Sequence, residues 1–321
     1  MRYVMPLVLI ALVTRILAPA SSAAGPARCA GSSAAPPPDA PMALVLSGGG
    51  AKGAWEAGVA AALVEAGLPI ALVAGSSAGA LNGAMIAAGR VERLEALWRG
   101  LDRDKLYSLR APVFFAGFLP GWLTLMALDR AGSLFDARPL RDLIAATVEI
   151  DRIRAAPMRL LVTTTDLERR DKRIFDNATV TVDALFAAAA VPGAFPPVEI
   201  DGALLVDGGL TGRAPVLEAL EAGVPLGRAV VVMSYAPEER GRRPTTMRAA
   251  VEEAFEMSMI HQIRRDVELA RLKYPTVDVR LLTPSEPLRF RPLDFDAGGM
   301  VRALALGRAD AAACVAGLHG R

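Results

Sequence analysis

Apolar positions fall into two rhythms along this chain. Ala43-Leu44-Val45-Leu46 and Ile70 to Ala74 are short apolar runs without polar alternation, the pattern of parallel strands covered on both faces. Each run leads into a turn of small residues and then a longer helical stretch. Residues 54–66 follow Ser47-Gly48-Gly49-Gly50-Ala51-Lys52-Gly53 and stop at Gly67 and Pro69. A second helix, to about Ala88, follows Gly75-Ser76-Ser77-Ala78-Gly79. Strand, tight turn and helix, repeated, predict an α/β layer fold with a parallel sheet. Further strands are predicted at 158–165, 172–175, 198–206 and 228–234, with Asp201-Gly202 turning a hairpin inside the third of these. Further helices are predicted at 91–100, 137–147, 182–190, 214–222, 246–273 and 299–316. One domain over 42–321 accounts for them, with no internal repeat.

The first forty residues read differently. Arg2, an apolar run from Tyr3 to Val13 and small residues to Ala24 fit a secretory signal peptide over 1–24, although Arg15 interrupts the pattern. The run is too short for a bilayer span, which needs about 20 residues. Residues 25–41, ending Ala35-Pro36-Pro37-Pro38, read as a linker. The expectation is export to the periplasm or medium; translation beginning at Met42 would instead leave the protein in the cytoplasm.

Composition narrows the picture further. Of 321 residues, 53% are hydrophobic and 22% charged, which excludes overall disorder. A net charge of +2 gives no general attraction to nucleic acid. Two cysteines, Cys29 and Cys314, cannot make a disulfide framework or a thiolate zinc site. Two histidines, His261 and His319, leave little imidazole for chemistry.

The candidate chemistry lies in the turns. Gly75-Ser76-Ser77-Ala78-Gly79 between a buried strand and a helix is the setting of a nucleophile elbow, with Ser77 as the exposed nucleophile. Gly48-x-Gly50-x-x-Gly53 also matches a dinucleotide-binding loop. That motif wants a carboxylate about 20 residues on, at the end of the second strand, where this chain has Gly75-Ser76-Ser77. The same glycines could instead turn the amides of Gly49, Gly50 and Ala51 toward a developing negative charge, making an oxyanion hole beside Ser77. Lys52 could add positive potential there, but reads more simply as a solvent-facing residue at a helix start. A serine nucleophile needs a base. His261 lies in a long helix and His319 near the C-terminus, so a carboxylate is the better candidate. Asp207, after Leu204-Leu205-Val206 and before Gly208-Gly209, sits where desolvation would raise its pKa. Asp166 and Asp201 are reserves, read more simply as residues that order a loop and a hairpin turn.

The three motifs, in this order, resemble the patatin-like phospholipase family. Thr164-Thr165-Asp166-Leu167 and the stretch from Ala187 to Val198 add to the likeness, which covers about residues 42–235, with core motifs at 43–209. The resemblance implies a three-layer α/β/α fold with a mostly parallel central sheet. It implies a serine acyl hydrolase cleaving carboxylic esters of phospholipid or lysophospholipid, with Ser77 as nucleophile, Asp207 as base and residues 48–53 as oxyanion loop. An acyl-enzyme intermediate is implied, with no cofactor and no metal. The partners expected are a lipid or ester substrate and, transiently, a membrane surface. Competing readings are a catalytically silent lipid-binding or interaction protein and a nucleotide-binding oxidoreductase. Residues 101–136 read as a lid. Within it Pro112 to Leu123, rich in aromatics but broken by Pro and Gly, predicts an irregular apolar cap over an acyl pocket, a surface that dips into lipid, or a buried loop. Arg99, Arg103, Lys105 and Arg110 just upstream could meet phosphate headgroups or form a solvated face.

Overall fold

The computed structural model describes residues 28–31, 34–116, 121–237, 239, 241 and 243–318; residues 1–24, expected as a leader, and His319 lie outside them. In chain order the strands are β1 (Arg28–Ala30), β2 (Met42–Leu46), β3 (Ile70–Gly75), β4 (Arg159–Asp166), β5 (Asp171–Asp176), β6 (Val198–Ile200), β7 (Ala203–Asp207), β8 (Arg228–Val232) and β9 (Asp278–Thr283). The helices before β4 are α1 (Gly53–Glu65), α2 (Ala78–Ala87), α3 (Val91–Gly100), α4 (Arg103–Leu106), α5 (Ala111–Ala116), α6 (Gly121–Ala131), α7 (Arg138–Thr147) and α8 (Ile150–Ala155). Those after it are α9 (Val182–Ala188), α10 (Val216–Glu221), α11 (Met247–Lys273) and α12 (Ala297–Leu318).

One sheet runs β1-β9-β8-β2-β3-β4-β7-β6, with β5 also on β4. Its centre, β9-β8-β2-β3-β4, is parallel, and its margins are antiparallel. Strand β2 explains the uninterrupted apolar run. Met42, Leu44 and Leu46 enter one core while Ala43 and Val45 enter the other, so every position is buried. The larger core lies under α1, α2, α3, α9 and α12; the smaller lies under α10 and α11. This is the expected α/β fold with helices on both faces of a central sheet.

One register feature positions the site. β4 carries β5 along one edge from Leu161 to Asp166. Its other edge is shared: β3 pairs as far as Gly75 opposite Val162, and β7 takes over with Asp207 opposite Thr164. The turn that leaves β3 and the end of β7 therefore meet at one place.

Three features depart from the expectations. First, Arg28–Ala30, inside the stretch expected to be a linker, forms a strand on β9, and Cys29 is disulfide-bonded to Cys314 of α12. Two cysteines make no framework, but they make one bond across the whole domain. Second, β9 and the short helices α4, α5, α6 and α8 had no prediction; Asp278–Thr283 alternates charged and apolar residues and lacks the run seen in β2. Third, the described parts of the segment from Pro112 to Leu123 are not irregular. Ala111–Ala116 and Gly121–Ala131 are helical, since Pro112 stands in the first turn of α5, where its missing N–H costs nothing.

Helices α1 and α12 pack at backbone distance. A Cβ on Gly58 would lie 2.2 Å from the Leu304 carbonyl oxygen, and one on Gly307 would lie 2.1 Å from that of Trp55. The buried Trp55 indole N–H donates to Asp310 at 2.9 Å and fixes the crossing. Gly307→Ala must push the helices apart, a cost of about 1–3 kcal/mol or more for overpacking, measurable as a lower denaturation midpoint in urea.

Candidate active site

Ser77 closes the turn between β3 and α2 with φ 52° and ψ −135°, in the left-handed region that a non-glycine residue enters only under strain. It is 6% exposed. Its N–H donates to the carbonyl of Ala188 at 2.9 Å, and the Asp207 N–H donates to the carbonyl of Ala190, also at 2.9 Å. The Ala187–Ala190 stretch thus holds the backbones of both residues. The preceding Ser76 hydroxyl is buried and donates to the Arg213 carbonyl at 2.6 Å.

Asp207 is fully buried. Its Oδ1 accepts the Gly209 N–H at 2.7 Å, while Oδ2 has no hydrogen-bond partner among the described residues. Burial pushes this carboxyl above the ordinary carboxylate range; the Arg213 charge, the Gly209 N–H and the Ser77 hydroxyl pull it back. Ser77 and Asp207 are thus brought together without a closed hydrogen bond. Contacts of this kind tighten when substrate binds.

The glycine loop stands over the serine. Gly48, Gly49 and Gly50 all take positive φ, at 70°, 135° and 57°. A Cβ on Gly48 would lie 2.9 Å from that of Ser77, and one on Gly50 would lie 2.0 Å from the Pro292 carbonyl oxygen. The Ser234 hydroxyl donates to the Gly48 carbonyl at 2.8 Å. In a trans peptide the following N–H points the opposite way, so this bond aims the Gly49 N–H. Neither Gly49 nor Gly50 donates its N–H to another described group.

Two expectations for this loop need correction. The Ala51 N–H is not free for an oxyanion, because it donates to the Pro292 carbonyl at 2.7 Å. Lys52 is not solvent-facing but 1% exposed. Its ammonium lies 3.5 Å from Glu239, 3.7 Å from Glu256 and 3.8 Å from the centre of the Tyr235 ring. A Cβ on Gly49 would lie 3.3 Å from that of Lys52, so the glycine leaves room beside the lysine stem.

Behind the loop lies Glu56, in the first turn of the mainly apolar α1 and fully buried. The Ser47 hydroxyl donates to its Oε1 at 2.8 Å, and the N–H groups of Ser47 and Gly48 face the carboxyl. Burial pushes its pKa up to about 7. Arg213 is the other residue the sequence concealed. It sits in a loop without periodicity, so nothing marks it in the sequence, yet it is 5% exposed and faces both Asp207 and Glu56. An isolated acid in an apolar helix was the signal that could have found Glu56.

The remaining candidates lie elsewhere or do other work. Asp166 accepts the N–H groups of Glu168 and Arg169, both at 3.0 Å, and so orders the loop after β4. Asp201 turns the β6–β7 hairpin with φ 50° and pairs with Arg173. His261 is exposed on α11.

Ser77, Gly49, Gly50 and Arg213 open into a cavity of about 240 Å³ walled mainly by apolar side chains, among them Leu97, Trp98, Leu140, Ile144, Phe195 and Phe295. These walls come from α3, α7 and the loops before α9's neighbour strand β6 and before α12. Of the expected aromatic cap, Phe114 is 55% exposed. The upstream cations are held locally: Arg99 by Glu95, Arg103 by Asp104, Lys105 by Asp102, while Arg110 bonds to Ser133.

The model of the family described as Patatin-like phospholipase matches residues 44–220, over half of the chain. An uncharacterised NTE family protein of Mycobacterium bovis is 34% identical over 176 residues, 54% of this chain and 44% of that protein. The neuropathy target esterase sws of Drosophila persimilis is 30% identical over 177 residues, 54% of this chain and 11% of that protein. The chain thus matches less than half the length of these relatives. Among solved structures, VipD from Legionella pneumophila superimposes with a TM-score of 0.49 at 16% identity, covering 91% of this chain and 70% of that one.

The buried Glu56 carries a stability consequence. Its folded pKa lies above the ordinary value of 4.5, so the folded state binds more protons between about 4.5 and 7. Stability is therefore lost as pH rises through that window. Glu56→Gln, which keeps an acceptor for Ser47, is expected to raise the melting temperature at pH 8 and change it little at pH 4. Thermal melts across that range test the assignment.

Proposed function

The chain belongs to the patatin-like phospholipase family, and from that premise we propose that it is a serine acyl hydrolase of lipid carboxylic esters, working through a Ser77–Asp207 dyad. The observation that carries this reading is the unpaired Oδ2 of a buried Asp207 next to a strained Ser77, at the end of an apolar cavity. Its chemistry follows from the geometry. The Ser77 hydroxyl attacks the ester carbonyl and Asp207 Oδ2 takes the proton. A base with a raised pKa accepts that proton more readily than an ordinary carboxylate. The carbonyl oxygen gains charge facing the N–H groups of Gly49 and Gly50, whose positions are set before the reaction begins. When the tetrahedral intermediate collapses, the C–O bond to the alcohol breaks and the alcohol leaves with the proton from Asp207. Water then attacks acyl-Ser77, giving up a proton to Asp207, and the fatty acid departs as the hydroxyl reforms.

The cavity walls favour an alkyl chain, and the esterase named among the relatives agrees with ester chemistry. Residues 48–50 serve as the oxyanion loop. Ala51, Lys52 and Gly53 support it from behind.

We further propose that the protein works outside the cytoplasm. The leader-like character of residues 1–24 supports this, as does the Cys29–Cys314 bond, since such bonds persist in oxidising compartments. The bond closes a loop of 285 residues, so reduction or Cys314→Ser is expected to lower stability by roughly 2–5 kcal/mol. Denaturation with and without reductant checks this, and N-terminal sequencing of the protein from a periplasmic fraction checks the export.

Hydrolysis of p-nitrophenyl esters by wild type, Ser77→Ala and Asp207→Asn tests the dyad. Asp207→Asn is expected to lower kcat by about 10²–10⁴-fold, the range for losing a positioned proton acceptor, and Ser77→Ala, which removes the nucleophile, by at least as much. A fluorophosphonate should label Ser77, as read by mass spectrometry. Equal rates in all three proteins, or liposome binding with no labelling, would leave a silent lipid-binding protein instead. Because Asp207 must be ionised to act, kcat/KM should fall with decreasing pH through a limb above the ordinary aspartate value of 3.8.

A further inference from the structure

The cavity has a polar end that the hydrolytic scheme does not use. Arg213 is 5% exposed, and its Nε has no hydrogen-bond partner among the described residues. Its backbone is fixed on both sides: the N–H donates to Gln262 at 3.1 Å, and the carbonyl accepts from Ser76. The guanidinium bridges two loops. One terminal nitrogen lies 3.5 Å from where a Cβ on Gly49 would stand, and the other 2.8 Å from a Cβ on Gly209. Both loops bear glycine there, so the space around the fork is left open.

The other buried or lining cations are already engaged. Lys52 is taken by Glu239 and Glu256, and Arg291 by Glu252. Glu56, Asp207, Glu256 and Tyr235 all feel the charge of Arg213. None of them forms an ion pair or hydrogen bond with it among the described residues. A desolvated cation in this state is costly, and a ligand anion would relieve the cost.

We infer that Arg213 is a specificity residue that binds the phosphate of a phospholipid or lysophospholipid whose ester lies at Ser77, an assignment that rests on the acyl-hydrolase reading. A guanidinium offers two parallel N–H donors to two phosphate oxygens, a match a point charge does not reproduce. In a glycerophospholipid only the glycerol carbons separate the ester from the phosphate. An ester carbonyl at the Gly49 N–H therefore leaves the phosphate within reach of the arginine, while the acyl chain enters the apolar cavity. The arginine has a second effect through Asp207, which its charge helps to keep ionised. Arg213 variants should accordingly lose some activity on every ester and more on phosphate esters.

The test compares inhibitors and substrates that differ in phosphate alone as far as chemistry allows. Dodecylphosphocholine and dodecyl maltoside, below their micellar concentrations, compete with p-nitrophenyl butyrate on the full chain. The phosphate detergent should inhibit wild type at about tenfold or more lower concentration, the scale of one hydrogen bond to a charged group. Arg213→Gln should abolish that preference and Arg213→Lys should retain part of it. Inorganic phosphate should need a far higher concentration, because it lacks the chain. On substrates of equal acyl length, the kcat/KM ratio of lysophosphatidylcholine to monoacylglycerol should fall by about tenfold in Arg213→Gln, mainly through KM. No detergent preference in wild type overturns the inference, whether or not the variants fold. So does a preference that survives Arg213→Gln, an equal loss on both substrates, or inorganic phosphate matching the lipid. If wild type hydrolyses no ester, the acyl-hydrolase reading fails separately. The detergent preference is then read from tryptophan fluorescence, since Trp98 lines the cavity.

Discussion

A carboxylate withdrawn from water with one oxygen left unpaired is among the more expensive things a fold can hold, and the arrangement around Asp207 follows from it. The Gly209 N–H satisfies Oδ1, and the charge of Arg213 offsets part of the desolvation. The remaining oxygen is left facing Ser77. Full pairing would make Asp207 a weaker base, and no compensation would leave it protonated. The net effect is a carboxyl held above the ordinary carboxylate range, with burial the largest cause.

Strand register makes that juxtaposition possible. β4 is longer than β3, and its free edge beyond Val162 is taken by β7 running the other way. The carboxyl end of β7 therefore arrives beside the turn that leaves β3. The carbonyls of Ala188 and Ala190 then fix both backbones from a third element. Small residues are needed there because three chains converge. The run Ala187-Ala188-Ala189-Ala190 and the glycines of the two turns leave no side chains in the way. Strain at Ser77 is held in place by these same hydrogen bonds, since an isolated turn would relax to negative φ.

Charge is distributed unequally behind Ser77 and Asp207. Glu56, Arg213, Lys52 and Tyr235, all buried, and the half-buried Glu256 form a group in which each titratable residue acts on another. Lys52 is compensated by two carboxylates, and Glu56 by Ser47 and the amides of the loop. Arg213 lines the cavity, and its Nε has no hydrogen-bond partner among the described residues. The loop that would hold an oxyanion is thus backed by an acid and flanked by a cation.

Local chemistry was legible in the sequence and its partners were not. Uninterrupted apolar runs marked β2 and β3 because both faces of each are buried, and turns made of glycine and serine marked the places where backbone must pass close to backbone. Those signals are short-range, and they led to Ser77, Asp207 and residues 48–50. Helix α3 was predicted with its observed bounds, as its amphipathic pattern is local too. The sequence also misled where a side chain's fate depends on distant groups. Lys52 looks like a surface residue until Glu239, Glu256 and Tyr235 close over it, and the Ala51 N–H looks free until Pro292 reaches it across 241 positions of chain. The walls of the cavity, the Cys29–Cys314 bond and the burial of Arg213 were decided the same way. Burial, electrostatic compensation and the direction of an unpaired donor are properties of what surrounds a residue, and the surroundings exist only once the sheet has brought remote segments together.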